Sequence, residues 1–384
     1  MSAAPRLWTR PFALVSLSNL LQGTSFSLFV HFPGFLAEVG ADAVEVGWIY
    51  GLTALTAIVV RPAVGAVMDR RGRRVVILAG NLLNVSVIGL YFTIDGLGPW
   101  VYTVRILHGL SEALLFTSLF TYAADHVPPQ RLAQGLGVFG ISGMLPVSLG
   151  GLLGDRVLAV GSYDALFAIA AALGLVALLS ALPLRDRVLD ATAEAASHSS
   201  FWQGLIRPDL LPIWWITTVF AFAMAAAFTF LKLFVLELGA GSVGGFLTTY
   251  TGVAIALRVF LGAVPDRVGP KRVLLPALLA QAAGFVVLAH AGDAGDVLLA
   301  GLLCGIGHGY AFPILFALVV SRVDAGIRGT AMAIYTGLFD LGVLLGGPGL
   351  GFVIEHFGYS VMYGATAAIV VLGSIVFAVW DRAR

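Results

Sequence analysis

The stretch Arg61–Arg74, RPAVGAVMDRRGRR, occurs a second time as RVFLGAVPDRVGPK at Arg258–Lys271. Matching positions, such as Arg61 and Arg258, are 197 residues apart, which is about half of the 384 residues. Each copy follows a long apolar run. Self-similarity at a fixed offset and in one orientation indicates a duplicated unit.

Composition distinguishes a membrane protein from a soluble one. Hydrophobic residues make up 59% of the chain and charged residues 11%, with a mean hydropathy of +0.95. Soluble domains are about 45–50% apolar and about 25% charged. Membrane-spanning helices need ~20 apolar residues, and the apolar runs are this long and lack the alternation of barrel strands. The sequence therefore predicts an all-α membrane protein, and its net charge of +1 favours no nucleic-acid partner.

Hydropathy predicts twelve transmembrane helices in two pseudo-symmetric six-helix bundles. The first bundle is 1–183, the second is 209–384, and the polar stretch 184–208 is a linker. The predicted spans are 12–37, 45–66, 75–93, 99–124, 132–154 and 162–182, followed by 209–237, 242–264, 272–291, 296–320, 328–354 and 358–380.

The distribution of basic residues predicts the orientation. Arginines and lysines collect at the termini and in the even-numbered loops, whereas the odd-numbered loops carry mostly acids, with Arg156 as the one exception. Basic loops stay on the cytoplasmic side. We therefore expect both termini and the linker to be cytoplasmic.

The loop after the second helix, Gly65-x-x-x-Asp69-Arg70-x-Gly72-Arg73-Arg74, resembles the signature loop of the major facilitator superfamily. Its degenerate copy follows the eighth helix, and Arg105-x-x-x-Gly109 is similar to the family's second motif. Parallel duplicated halves are a known feature of these transporters. The resemblance covers the whole chain and implies two bundles that carry a solute by alternating access, with no enzymatic activity, metal or cofactor.

The signature loop is predicted to act as a conformational latch. Asp69 at a helix end can accept hydrogen bonds from a neighbouring helix N-terminus, and the guanidinium groups can pair with carboxylates such as Asp125. The resemblance implies that the loop bridges the halves through Asp69 and the start of the eleventh helix near 328–330. An alternative is that the arginines only set topology, although this would not require glycines at fixed spacing. The predicted latch residues are Gly65, Asp69, Arg70, Gly72, Arg73, Asp125, Asp266 and Arg267.

Ionisable residues inside predicted helices mark the candidate transport chemistry. A charge within the bilayer costs at least ~2.5–3.5 kcal/mol and persists where it is paired or faces water. Arg105, His108 and Glu112 lie at i, i+3 and i+7 and share one helix face. The predicted proton-coupling residues are Glu112, Asp340, His108 and His308. The alternative is a static ion-pair network, and Arg61 and Arg258 are expected to be structural residues at inner helix ends.

Polar residues on the first, fourth and seventh helices are candidate substrate contacts, because the resemblance implies that these helices line the cavity. The predicted set is Arg105, Gln22, Ser25, Asn19, His31 and Lys232. The stripe of Ser18, Gln22 and Ser25 could equally mediate helix packing. His31 and Lys232 could instead snorkel toward the outer interface.

The sequence favours proton-coupled efflux of a drug-like compound or metabolite by a monomer in the bacterial inner membrane. Exporters of the family often carry Gly-Pro-x-x-Gly-Gly in the fifth helix, whereas this chain has Gly143-x-x-Pro146-x-x-x-Gly150-Gly151, with different gaps. One alternative is proton-coupled uptake of an anionic solute, which Arg105 and Lys232 would suit. Another is a non-transporting receptor on the same scaffold. An enzyme is disfavoured because no nucleophile–base pair, metal-ligand cluster or phosphate loop is recognisable.

Overall fold

The computed structural model describes residues 7–128, 131–186, 204–323 and 328–381. The side chains of Asp69, of 132–134 and of 328–329 also lie outside the described part. Most of the predicted linker, including Ser199, is outside it as well, so its structure stays a prediction.

The secondary-structure elements in the described ranges are helices, and their bounds follow the hydropathy-based prediction closely. We label the long helices α1 to α12. They are α1 Arg10–Glu38, α2 Ala43–Arg71, α3 Arg73–Tyr91, α4 Pro99–His126, α5 Leu132–Val160, α6 Tyr163–Ala181, α7 Leu211–Leu238, α8 Val243–Phe260, α9 Pro270–Ala289, α10 Ala294–Ser321, α11 328–357 and α12 359–380. Leu28–His31 within α1 is a 3₁₀ turn, and Gly358, with a φ of 80°, separates α11 from α12.

Ten helical ranges among the described residues are long and apolar enough to cross a membrane. The last of these ranges, Thr330–Trp380, contains both α11 and α12. The helix α4 is 28 residues long but carries the polar face of Arg105, His108 and Glu112. The predicted all-α membrane fold is confirmed, and the described helices are consistent with the predicted twelve.

Acidic and hydroxyl side chains fix several helix starts. The backbone N–H of Glu45 donates to Asp42 Oδ1 at 2.7 Å, and the Asp42 N–H donates back to Glu45 Oε2 at 3.1 Å. This reciprocal arrangement is a capping box at the start of α2. Asp293 caps α10 by accepting from the N–H groups of Gly295 and Asp296. These acids of the odd-numbered loops therefore cap helices, apart from any effect on topology.

The chain forms two compact units by its internal contacts. The first contains Met1–Phe35 and Thr56–Leu189, and the second contains Leu36–Leu55 and Asp190–Arg384. In the first unit α1 packs against α5 and α6, and α3 packs against α4 and α6. In the second, α8 and α9 both pack against α10, and α7 packs against 328–380. The predicted bundle boundaries stay a prediction.

The two copies of the repeated sequence fold differently at one point. The helix α2 continues through its copy to Arg71, whereas α8 ends at Phe260 and a separate short helix, Val264–Val268, follows. Sequence had predicted a helix over 242–264. Pro265 explains the break, because a proline ring clashes with the carbonyl group four residues earlier, here that of Leu261.

A stripe of glycines brings α8 and α10 into close contact. A Cβ atom at Gly305 would collide with the backbone of Tyr250, and one at Gly301 would collide with the backbone of Phe246. At Gly309 it would lie 3.1 Å from the Ala254 Cα. Small residues four apart allow helix backbones to approach in this way. The close contact places the end of α8 beside the middle of α10.

Candidate transport site: a polar centre in each unit

The buried face of α4 is organised by Tyr91 from α3. Its hydroxyl group lies 2.8 Å from His108 Nδ1 and accepts a hydrogen bond from Arg105 Nη1 at 3.2 Å. The Arg105 guanidinium also lies over the ring of Phe32, 5.3 Å from its centroid. His108 is fully buried and Arg105 is 2% exposed. Two residues predicted to share a face are thus joined by a tyrosine that sequence reasoning did not identify.

Glu112, one α4 turn further on, contacts α1. Gln22 Nε2 donates a short hydrogen bond to Glu112 Oε1. The charges of Arg105 and, more weakly, of Arg61 from α2 also act on this carboxylate, and the Arg61 guanidinium lies 5.5 Å from the centre of the Phe116 ring. Gln22 and Glu112, predicted for different roles, therefore meet in one polar centre of the first unit. Arg61 lies beside this centre rather than serving only as a helix end.

The other polar residues of α1 make contacts with neighbouring helices. Ser18 donates to the Ala177 carbonyl oxygen at 3.2 Å, and Ser25 donates to that of Ala170 at 2.7 Å. Asn19 Nδ2 donates to Ser142 Oγ at 2.9 Å. These bonds favour the packing interpretation for Ser18 and Ser25. A substrate contact for Ser25 or Asn19 stays a prediction.

His31 lies in the 3₁₀ turn of α1 and contacts α5. Its Nε2 lies 3.1 Å from the Gly151 carbonyl oxygen, and its Nδ1 lies 3.8 Å from Asp155 Oδ1. The side chain is fully buried. In the second unit, Lys232 in α7 and Asp340 in α11 are both partly buried. The predicted roles of these three residues stay predictions.

The second unit has its own polar centre, around His308 on α10. The His308 ring lies 5.5 Å from the rings of Phe220 and Tyr250, and it stacks on Phe312 at 5.8 Å. Arg258 Nε, at the end of α8, donates to the Gly309 carbonyl oxygen at 3.4 Å, and its charge acts on His308. Arg258 corresponds to Arg61 in the repeat, so each unit places the equivalent arginine beside its polar centre. The fixed offset between these arginines was the signal for this arrangement in the sequence.

The second glycine of the predicted latch loop has a positive φ in both copies. Gly72 and Gly269 both have positive φ, at 86° and 107°. Arg73 Nε pairs with Asp125 Oδ2 at 3.0 Å. Arg70, Asp266 and Arg267 are exposed, and Gly65 lies within α2. The bridge predicted for Asp69 near 328–330 involves side chains outside the described part and stays a prediction.

The last basic residue of each copy binds the end of a helix in its own unit. Arg74 Nε donates to the Leu184 carbonyl oxygen at 2.6 Å, and Lys271 Nζ donates to the Asp381 carbonyl oxygen at 2.7 Å. Leu184 and Asp381 are again 197 residues apart. The repeated motif therefore fastens α3 to the end of α6, and α9 to the end of α12.

A surrounding ion-pair cluster strengthens the second of these contacts. The Asp381 carboxylate accepts two hydrogen bonds from Arg322, at 2.9 and 2.8 Å, and pairs with Lys271 at 2.7 Å. Arg322 Nη1 also donates to the Asp209 carbonyl oxygen at 2.6 Å. The cluster joins the ends of four helices or their flanking turns.

Apolar helices of spanning length with ionisable groups at mid-helix define a class of membrane transport protein. No group of three or more His, Cys, Asp or Glu side chains that could hold a metal occurs within the described ranges. The chain belongs to the Major Facilitator Superfamily, whose family model matches residues 12–346 and 236–384. It is therefore a multi-pass membrane transporter of small molecules and not an enzyme.

Similar proteins agree with this assignment along the whole chain. The chain is 26% identical over 405 residues to the Multidrug resistance protein MdtG of Salmonella typhi, covering 100% of this chain and 98% of that protein. The MdtG protein of Salmonella typhimurium (strain LT2) is also 26% identical over the same coverage.

Solved structures share the fold at low sequence identity. A point mutant of the nucleoside transporter NupG aligns with a TM-score of 0.81 and 13% identity over 97% of this chain and 100% of that one. The human organic anion transporter MFSD10 (TETRAN) aligns with a TM-score of 0.72 and 19% identity over the same shares of the two chains. At these identities the likeness concerns the fold.

Proposed function

We propose that this protein is a proton-coupled exporter of a drug-like compound or metabolite, working by alternating access. The observation that carries the proposal is the contact of Glu112 on α4 with Gln22 on α1, where the charges of Arg105 and Arg61 act on the carboxylate. An ionisable carboxylate at this depth is costly and marks a functional position in a transporter. The whole-length similarity to proteins named for multidrug resistance supports export.

Glu112 carries the exchanged proton in this proposal. When the carboxylate is ionised, Gln22 donates a hydrogen bond to it and the charges of Arg105 and Arg61 stabilise it. When it is protonated, the charge interactions with both arginines are lost and the contact with α1 weakens. Proton binding thereby changes how firmly α1 is held against α4, which links protonation to helix movement.

The remaining predicted residues act around this centre. Asp340 and His308 provide titratable groups in the second unit, and His108 does so beside Tyr91 in the first. The loop at Asp69 stabilises the state in which the cytoplasmic side is closed. The protein acts as a monomer in a bacterial inner membrane, with both termini in the cytoplasm.

Flux into proteoliposomes tests the proposal and its alternatives. The probes are ethidium, a permanent cation that does not follow a pH gradient as a weak base does, and 2-naphthoate as an anionic solute. A proton antiporter accumulates its substrate in vesicles with an acidic lumen. A proton symporter accumulates it in vesicles with an alkaline lumen, and a receptor binds it without flux. Protein-free liposomes give the passive background, and absence of gradient-driven accumulation of either probe would reject coupled transport of these compounds.

A cysteine placed at Ser199 tests the orientation. Cys304 is the chain's only cysteine and is buried, so it serves as the unlabelled background. A membrane-impermeant maleimide should label the new cysteine in inverted vesicles and not in intact cells. Labelling restricted to intact cells would reverse the predicted topology.

Uptake of an anionic solute is supported less well by the first unit. Of the two cations that favoured it, Arg105 and Lys232, only Arg105 lies in this unit, and its guanidinium already contacts the Tyr91 hydroxyl and the Phe32 ring. These contacts indicate a structural role for Arg105 in holding α4 against α3 and α1.

A further inference from the structure

The polar centre of the second unit contains a cation whose hydrogen-bonding capacity is only partly used. Arg258 Nε donates to the Gly309 carbonyl oxygen, but its Nη2 atom is enclosed and has no hydrogen-bond partner within the described residues. His308 Nδ1, within reach of the Arg258 charge, is enclosed and equally without a partner there. Buried donors of this kind are normally paired, and an unpaired buried charge is destabilising.

The repeat shows what occupies the equivalent place in the first unit. Arg61 corresponds to Arg258, and Glu112 corresponds to Gly309. In the first unit the charge of Arg61 acts on the Glu112 carboxylate, and the second unit has a residue without a side chain at the matching position. No ion pair is formed by Arg258 with any described residue. The second unit thus has the equivalent arginine without the equivalent acid.

We propose that Arg258 and His308 bind the carboxylate group of the transported compound, which takes the place that the Glu112 side chain takes in the first unit. A guanidinium group presents a planar fork of donors that matches a carboxylate, and charge-assisted hydrogen bonds of this kind are strong. The free Nη2 atom and the His308 ring nitrogen are the two donors that the ligand satisfies.

The surroundings of His308 indicate the rest of the ligand. Phe220, Tyr250 and Phe312 enclose the imidazole, with ring centroids 5.5 to 5.8 Å from it. Aromatic side chains favour planar apolar partners in stacked or edge-to-face contacts. The site therefore suits an aromatic carboxylate. This inference rests on the proposed transport function and narrows its drug-like substrate to compounds carrying such a group.

Equilibrium binding to the purified full-length protein in detergent tests the inference without any gradient or flux. The probes are 2-naphthoate and its uncharged counterpart 2-naphthamide. We expect saturable binding of 2-naphthoate to the wild type and at least about tenfold weaker binding to Arg258→Gln, since charge-assisted hydrogen bonds are lost. The matched control is Arg272→Gln, which removes an exposed arginine from the start of α9 and should leave affinity unchanged.

A second variant keeps the test decisive if Arg258→Gln does not fold. Arg258→Lys retains the charge but loses the planar fork, so 2-naphthoate should bind more weakly and 2-naphthamide unchanged. The inference is overturned if the wild type shows no saturable 2-naphthoate binding, if both variants bind it as the wild type does, or if both probes weaken equally. If the wild type binds 2-naphthoate but shows no flux driven by a pH gradient, the result counts against the proposed proton coupling and not against this binding site.

Discussion

Gly72 lies directly against the carboxylate of Asp186. A Cβ atom at Gly72 would collide with that carboxylate, whose Oδ1 accepts the backbone N–H of Arg74 at 2.8 Å. The backbone of Gly72, at φ 86° and ψ 163°, is in a region that only glycine adopts without strain. Two independent constraints therefore require glycine where α2 turns into α3.

Gly72→Ala should lower the stability of the protein. The unfavourable backbone conformation costs roughly 1–3 kcal/mol, and displacement of Asp186 adds to this cost. The measurement is the thermal unfolding midpoint in detergent, followed by tryptophan fluorescence. Gly65→Ala is the matched control, because nothing lies within 4 Å of its Cβ position and the residue is helical. Equal loss of stability in both variants would contradict the role assigned to Gly72.

Asp381→Asn should destabilise the protein in a pH-dependent manner. Burial alone would raise the pKa of Asp381, but hydrogen bonds from Arg322 and Lys271 outweigh burial and hold this pKa below its usual value. A lowered folded-state pKa adds stability at neutral pH, and this contribution is lost as pH falls through that pKa. We expect a loss of roughly 2 kcal/mol at neutral pH that shrinks below about pH 4.

Thermal unfolding measured at neutral pH and again below about pH 4 checks the Asp381 prediction. Glu237→Gln is its control, because Glu237 is exposed at the end of α7. A difference between Asp381→Asn and the wild type that stays constant down to acidic pH would show that the lost packing, and not the lost charge, is responsible.

Glu112→Gln should abolish accumulation of substrate driven by a pH gradient while leaving counterflow exchange intact. The substitution keeps a partner for Gln22 but removes the proposed proton site. Asp340→Asn should have the same effect if Asp340 shares the coupling. The control is Glu38→Gln, which changes an exposed carboxylate at the end of α1. If both neutral variants still concentrate substrate at the wild-type rate, Glu112 and Asp340 do not couple protons and the static ion-pair network is the better interpretation.

Asp69→Asn should slow flux and leave equilibrium binding of substrate largely unchanged. In the proposed latch role, the substitution removes a contact of one conformational state and not a ligand contact, so it shifts the populations of states. Flux in proteoliposomes and binding in detergent are measured on the same preparation. Wild-type flux at equal reconstitution would exclude a latch role for Asp69.

The helices could be predicted because apolar length is a local property of the sequence. Boundaries failed most clearly at α8, where Pro265 ends the helix before the hydropathy falls. The contact between Gln22 and Glu112 could not be predicted, since it depends on how two helices rotate about their axes. Each residue was a candidate by itself because a polar group in an apolar run is costly, but polarity alone does not identify partners.

The repeat offset of 197 residues relates positions outside the signature loop as well as within it. It relates Gly72 to Gly269, which both have positive φ, and it also relates Arg61 to Arg258. The arginines had been expected to be structural ends, because a helix terminus near charged loops explains a basic residue without further assumptions. Only the contact of Arg61 with the Phe116 ring, and of Arg258 with the Gly309 carbonyl oxygen, shows that both reach a neighbouring helix.

Because α8 is interrupted at Leu261, the two copies of the repeated sequence differ in the continuity of their helices. The helix α2 runs unbroken to Arg71 with Pro62 inside it, whereas residues 261–263 separate α8 from the short helix Val264–Val268. The duplicated sequence therefore forms one uninterrupted helix in its first copy and two separate helices in its second.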